Sequence, residues 1–298
     1  GKYLVGRMLN FILWPFSFRE YLSHADPELY NLIQERIPNA LSGDFKVSNF
    51  FGQEINSRLE KLFENYLVYG GYPAVVLANT HQEKEKILEG ILENYLLKDI
   101  RAILQLATED ELVKLIKLLA AQIGNLVRYK ELSNTSGLNY KNVLEHLKIL
   151  QQTYILDLVR PFFVNKRTEL TKNPKVYFID AGLRNAAIND FRKPLTRTDL
   201  GHLVENYAFT ALKRNATALE PLHFWRTKSG AEIDFISSLK QESLPLEVKY
   251  SSTPTIGKSF YSFIEKFSPN QAFILTKDFS GQKKIKNCRL TFIPVYYL

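Results

Sequence analysis

A single cysteine, Cys288, stands in a chain of 298 residues, which excludes any internal disulfide and any cysteine-based zinc site within one chain. That scarcity fits a reducing compartment, and a cytoplasmic location is the expectation. Long apolar runs are also missing. The stretches Met8 to Trp14 and Val68 to Ala78 fall short of the ~20 residues that cross a bilayer, and no signal peptide opens the chain. Five histidines, His24, His81, His146, His202 and His223, show no metal-ligand spacing. No serine sits in a glycine elbow of the kind an acyl-transfer nucleophile needs. A G-x-x-x-x-G-K-[S/T] loop is absent as well, so no backbone cradle for ATP phosphates is visible.

What is present is nearly half apolar and long enough for two or three cores. Helices are predicted from Ser17 onward, where Ser17 and Glu20 form a cap, and over Gly52 to Tyr69, Gln82 to Arg101 and Glu109 to Ile123, where apolar residues recur at three and four. Tyr69-Gly70-Gly71-Tyr72-Pro73 forces a turn. The chain opens on Gly1-Lys2-Tyr3-Leu4-Val5-Gly6-Arg7 as an apolar strand with no cap before it, and reads as a fragment.

Positive charge is concentrated. Between Leu112 and Val176 eleven basic residues face four acidic ones, so this stretch carries +7 of the formal net charge of +8. The same stretch reads as a helix, a short helix from Tyr129 ending at Gly137, and a third helix capped by Asn139. This is the order of a helix-turn-helix. Two wing strands follow, Ile155 to Val164 and Lys175 to Ile179, around a polar tip from Asn165 to Asn173. DNA is the expected partner. Third-helix residues Tyr140, Lys141, Asn142 and His146 are placed to approach a groove, with Lys166, Arg167 and Lys172 on the wing. Phe162-Phe163 beside the wing is a candidate base-stacking pair.

The most chemical stretch lies near the end. Glu232-Ile233-Asp234-Phe235-Ile236 alternates with period two, and Leu246-Glu247-Val248-Lys249-Tyr250 reads as a second strand. Asp234, Glu247 and Lys249 can then share one face of a sheet. Paired hard oxygens suit Mg²⁺ or Mn²⁺, and a neighbouring lysine can orient a metal-held water for attack on a phosphodiester. Glu205 precedes them on a helix that begins near Gly201, and Glu232 is a further ligand or the rim of the same pocket. The bland alternatives are an edge-strand ion pair between Glu247 and Lys249, and neutralisation of Glu232 and Asp234 by Arg226 and Lys228.

Two resemblances organise these readings. Trp14-Pro15-Phe16-Ser17-Phe18-Arg19-Glu20-Tyr21, Tyr69-Gly70-Gly71-Tyr72-Pro73, Asn94-Tyr95-Leu96-Leu97-Lys98-Asp99-Ile100 and the run Lys172 to Leu183 resemble the region after the motor in bacterial and archaeal AAA-type ATPases. In that family a helical lid, a winged helix and a restriction-endonuclease-like domain of unknown function follow the motor. The resemblance implies that Gly6-Arg7 ends the last strand of an ATPase domain, that ATP would bind only through that missing domain, and that ATPase activity is not expected from this chain. Helix, three strands, helix, strand in the last hundred residues is similar to the PD-(D/E)XK nuclease fold. It implies that Asp234, Glu247 and Glu205 hold Mg²⁺ or Mn²⁺, with Lys249 positioning the water.

The expected fold class is therefore multidomain α plus α/β. Residues 1–108 would be the ATPase remnant and lid, 109–182 a winged helix-turn-helix, and 195–298 a restriction-endonuclease-like mixed β-sheet flanked by helices. The expected function is a Mg²⁺-dependent nuclease or nuclease-derived DNA-processing protein. The alternative is a non-catalytic DNA-binding and assembly module, the nuclease site a relic, with an ATPase-domain partner or a second copy and no membrane.

Overall fold

A computed structural model describes residues 12–41, 51–94, 100, 110–163, 165–215, 221–239 and 242–298. The expectations for Gly1 to Arg7 and for Tyr95 to Asp99 lie outside the described residues.

The helices begin where local chemistry starts them. At α1 (Phe18–Ala25) the Ser17 hydroxyl accepts from the Glu20 amide, and the Glu20 carboxylate accepts from the Ser17 amide at 2.6 Å, a reciprocal cap. Asp26 caps α2 (Pro27–Arg36), whose first residue is proline. Then come α3 (Gln53–Tyr69), α4 (Pro73–Val76) and α5 (His81–Ile91). The α1 to α3 face packs into the body of the chain. Phe63 meets Phe18 at 5.4 Å and Tyr207 at 4.7 Å between ring centres, in one core shared with the C-terminal strands.

A second core lies under α6 (Asp110–Ala121), α7 (Tyr129–Ser136) and α8 (Tyr140–Gln152). Leu112, Leu115, Ile116 and Leu119 of α6 are buried at the predicted spacing, and Asn139 caps α8 through the Asn142 amide at 2.9 Å. The hairpin that follows, β1 (Leu156–Pro161) and β2 (Lys175–Phe178), is antiparallel. Its predicted polar tip contains a helix, α9 (Lys166–Thr171).

That hairpin is part of the main sheet. After α10 (Ala181–Ala187) and α11 (Leu200–Asn215) come β3 (His223–Arg226), β4 (Glu232–Leu239), β5 (Glu242–Lys249), α12 (Lys258–Phe267), β6 (Gln271–Thr276), β7 (Gly281–Ile285) and β8 (Cys288–Pro294). β1 runs parallel to β3 through Arg160 to His223 and Pro161 to Phe224, giving one eight-stranded mixed sheet ordered β2-β1-β3-β4-β5-β6-β8-β7. The basic helical unit and the C-terminal region therefore share a sheet, where separate domains had been expected. No helix among the described residues is long and apolar enough to cross a membrane.

The glycine-proline turn and the run after β2 hold each other. Gly70 has φ +74°, and a Cβ there would fall 2.1 Å from Asp180 Oδ1. The buried Asp180 carboxylate accepts from the Gly71 amide at 2.7 Å and from the Leu183 amide at 2.9 Å, which also caps α10.

Candidate functional site

The C-terminal carboxylates are brought together by strand register. β4 and β5 are antiparallel with Phe235 opposite Leu246, both buried, so the residues beyond them, Asp234 and Glu247, stand at the neighbouring rung. The Val248 amide donates to Asp234 Oδ2 at 2.8 Å. Lys249 Nζ lies 2.8 Å from Glu247 Oε1, the period-two partner on the same strand. Glu205 arrives from α11. Its neighbour Asn206 clamps that helix to β2, its side chain accepting from the Phe178 amide at 2.8 Å and donating to the Phe178 carbonyl at 3.0 Å. The Tyr177 hydroxyl donates to Glu205 Oε1 at 2.5 Å. All four residues of the predicted nuclease-type set thus lie in one region.

Lys175 is the member that the sequence reading placed elsewhere, among the surface charges of the basic stretch. Its side chain is 3% exposed, and Nζ stands 2.6 Å from Glu232 Oε1, 3.0 Å from Glu205 Oε1 and 3.9 Å from Asp234 Oδ1. Sequence carried one signal of this. Lys175 and Tyr177 share a strand face, and Val176, Phe178 and Ile179 around them are apolar, so that face had to meet something polar inside the protein. Gly124, at φ +72°, leaves room beside the cluster, since a Cβ there would come within 2.9 Å of His202 Nδ1 and 3.1 Å of Glu205 Oε2. His202 Nδ1 is 3.7 Å from Glu205 Oε2, an ion pair only when the ring is protonated.

Electrostatics follow from that placement. Burial disfavours the Lys175 ammonium, but the charges of Glu205, Asp234 and Glu232 outweigh it and hold the lysine protonated above its ordinary range. Glu205 is pushed up by burial, yet Lys175, His202 and Tyr177 bring its carboxyl below the usual carboxylate range. Asp234 goes the other way: burial, and then the charges of Glu205 and Glu247 against the pull of Lys175, raise it well above that range. Burial likewise raises Glu247 against its bond to Lys249. Four carboxylates, Glu205, Glu232, Asp234 and Glu247, face three cations, since Arg226 pairs with Glu232 at 2.9 Å. The cluster is one positive charge short, so Asp234 is the member that keeps a proton most readily.

Mg²⁺ or Mn²⁺ requires oxygens at about 2.0–2.2 Å on most sides. The oxygens that face the middle of this cluster are already turned on the Lys175 ammonium. A divalent ion therefore does not fit beside Lys175. Among the described residues no group of three or more His, Cys, Asp and Glu side chains is arranged to hold a metal ion.

The predicted nucleic-acid residues divide. Tyr140, Lys141, Arg167 and Lys172 are exposed and Asn142 is half-buried. The side chain of Lys166 lies outside the described residues. His146 is corrected: it is 2% exposed, on the inner face of α8 beside Leu147, because position 146 falls one turn from Val143 and Leu150. Buried on that inner face, it cannot reach a groove. Phe162 is corrected too. It is half-buried and packs on Phe267 at 5.6 Å and His223 at 6.0 Å, against the edge of a core cluster, so its ring is committed to contacts within the protein. Glu169 of α9 is buried against His223 Nε2 at 3.2 Å, so the hairpin tip is anchored to β3.

Two domains of unknown function match this chain, DUF8612 over residues 60–194 and DUF4143 over residues 200–298. The chain is 26% identical over 253 residues to an uncharacterised protein of Haemophilus influenzae, covering 83% of this chain and 54% of that protein. It is 24% identical over 243 residues to an uncharacterised protein of Mycobacterium tuberculosis, covering 81% and 54%. With an uncharacterised protein of Methanocaldococcus jannaschii it shares 21% over 238 residues, covering 78% and 48%. The chain spans about half the length of the curated relatives it matches. No solved structure matches it. This chain is thus similar to uncharacterised bacterial and archaeal proteins, and it matches two domains of unknown function, the second of which begins with α11.

Proposed function

We propose that this chain is a DNA-binding and assembly module that works with an ATPase domain, its C-terminal site a nuclease-type constellation closed by an internal lysine. The observation that carries the DNA reading is the exposed charge of the α6 to α9 unit. With Lys175 removed to the interior, Lys114, Lys117, Arg128, Lys130, Lys141, Lys148, Arg167 and Lys172 remain exposed, against exposed Asp110, Glu111, Glu131 and Glu145. Lys141 and Lys148 are two turns apart on one face of α8. Phosphate neutralisation accounts for such a concentration, and three helices followed by a hairpin is the order of a winged helix.

The test is a salt titration of binding to duplex and single-stranded DNA. Affinity should fall steeply, with a slope near 0.9 per phosphate contact on duplex, between about 50 and 200 mM salt. Affinity that does not change with salt, or no binding at low salt, sinks the reading. The ATPase partnership rests on the family resemblance of the Trp14-Pro15-Phe16 and Gly70-Gly71 segments, and it predicts no ATP hydrolysis by this chain alone.

A second reading has one observation in its favour. Asp234, Glu247 and Lys249 lie on adjacent strands with Glu205 behind them, the residue types of a metal-dependent phosphodiesterase, which would act only if Lys175 gave up its place to the ion. A divalent-metal cleavage assay on several DNA and RNA forms decides it, with Asp234→Asn and Lys249→Ala as controls. Cleavage by wild type that both variants abolish would establish this reading over the first. Absence of cleavage leaves the non-catalytic module.

A further inference from the structure

We propose that Lys175 is the resident cation of the Glu205, Glu232 and Asp234 cluster, and that a divalent ion binds there only when the Lys175 ammonium has been removed. The proposal rests on the geometry of the cluster and not on the DNA reading.

Each oxygen that converges on Nζ has its companion oxygen or its remaining lone pair engaged elsewhere. Asp234 Oδ2 takes the Val248 amide, Glu232 Oε2 takes Arg226, and Glu205 Oε1 also takes the Tyr177 hydroxyl. The three carboxylates are therefore held in place by groups other than the lysine, and their inward oxygens would stay aimed at one point without it. With the ammonium gone, three hard carboxylate oxygens facing one point would offer a divalent cation the donors that Lys175 now occupies. One further oxygen is in reserve: Glu247 Oε2 is buried and has no hydrogen-bond partner among the described residues, and Glu247 is close enough for its charge to act on Asp234.

Lys175 comes from a different part of the chain than the acids. It belongs to β2, in the hairpin after the basic helices, whereas Glu232 and Asp234 lie on β4 and Glu205 on α11. The basic unit thus supplies the charge that closes the acidic site. An ordinary structural ion pair would leave a different signature on mutation, because removing its lysine would leave repelling carboxylates that gain nothing from a metal.

The experiment uses the full chain and Mn²⁺ alone as the probe, followed by the free-ion electron paramagnetic resonance signal and by thermal melting. Wild type should leave the Mn²⁺ signal unchanged and show no Mn²⁺-dependent Tm. Lys175→Met and the more conservative Lys175→Gln should bind Mn²⁺ at least about tenfold more tightly than wild type, with a Tm that rises with Mn²⁺. Adding Asp234→Asn should remove both effects. Wild type that binds Mn²⁺ as tightly as the variants overturns the proposal. So do folded variants that bind none, or variants that fail to fold even in Mn²⁺.

Discussion

Lys175 Nζ stands 3.0 Å from Glu205 Oε1, with the two side chains 3% and 10% exposed, although one residue belongs to the hairpin after the basic helices and the other to α11. Buried pairs of this kind add little when complete, because desolvation offsets attraction, but they are costly to break on one side. Lys175→Met leaves three carboxylates without their shared counter-ion. A loss of about 3–5 kcal/mol in urea unfolding at pH 7 is expected, without added metal. The loss should shrink at pH 5, because the stranded carboxylates then hold protons in the folded variant, which binds more of them than the unfolded chain. A loss that is independent of pH would show that the lysine acts through packing alone.

The Gly70 and Asp180 contact gives a second, purely structural expectation. Gly70→Ala must place a Cβ 2.1 Å from a buried carboxylate at φ +74°, so the backbone or Asp180 has to move. A cost above about 2 kcal/mol follows from strain and from a displaced buried acceptor. Gly90→Ala is the control: it lies within α5 with nothing within 4 Å of the new methyl, and should stabilise by about 0.5–1 kcal/mol through helix propensity. Chemical denaturation of the two variants side by side decides between a local lock and general intolerance.

Asp180 also sets a pH dependence. Burial pushes its carboxyl from 3.8 up to about 6, against the Gly71, Leu183 and Gly182 amides and the charge of Arg214, which pull it down. The folded protein therefore holds a proton that the unfolded chain gives up earlier, so this group's contribution falls as pH rises from about 4 to 6 and is constant above that. At about 1.4 kcal/mol per pH unit the decline amounts to about 3 kcal/mol. Asp180→Asn should flatten this part of the stability curve. An unchanged slope in the variant would assign the titration to other carboxylates.

How far the sequence could be read depended on whether a residue's role was local. The Ser17 and Glu20 cap, the α6 spacing, the Asn139 cap and the Asp234 and Glu247 strands each follow from neighbours in the chain, and each element stands within a few residues of its expected bounds. β7 was not anticipated, because Gln282-Lys283-Lys284 has no apolar alternation and forms a strand only by pairing with β8. The α9 helix at the hairpin tip was hidden in the same way, since its buried Glu169 is matched by His223 far along the chain. Lys175 shows the limit best. Counting charge along a stretch treats every lysine as solvated, whereas its burial is decided by acids that β4 and α11 bring to it.

The two residues of α8 that were expected to act alike, Lys141 and His146, should separate in a DNA-binding assay. Lys141 is exposed near the start of the helix, and His146 is buried with its pKa lowered chiefly by desolvation. If the exposed charge binds phosphate, Lys141→Ala should weaken binding to all sequences and reduce the salt slope by about 1. His146→Leu should leave DNA affinity and salt slope unchanged. Its stability should hold or rise, because a buried imidazole that desolvation penalises is replaced by an apolar group of similar size. Fluorescence anisotropy across a salt series, with thermal melts of both variants, reads all of these. A His146→Leu protein that melts like wild type but loses DNA affinity would mean that α8 presents its other face to the duplex, and would overturn the assignment of the basic surface.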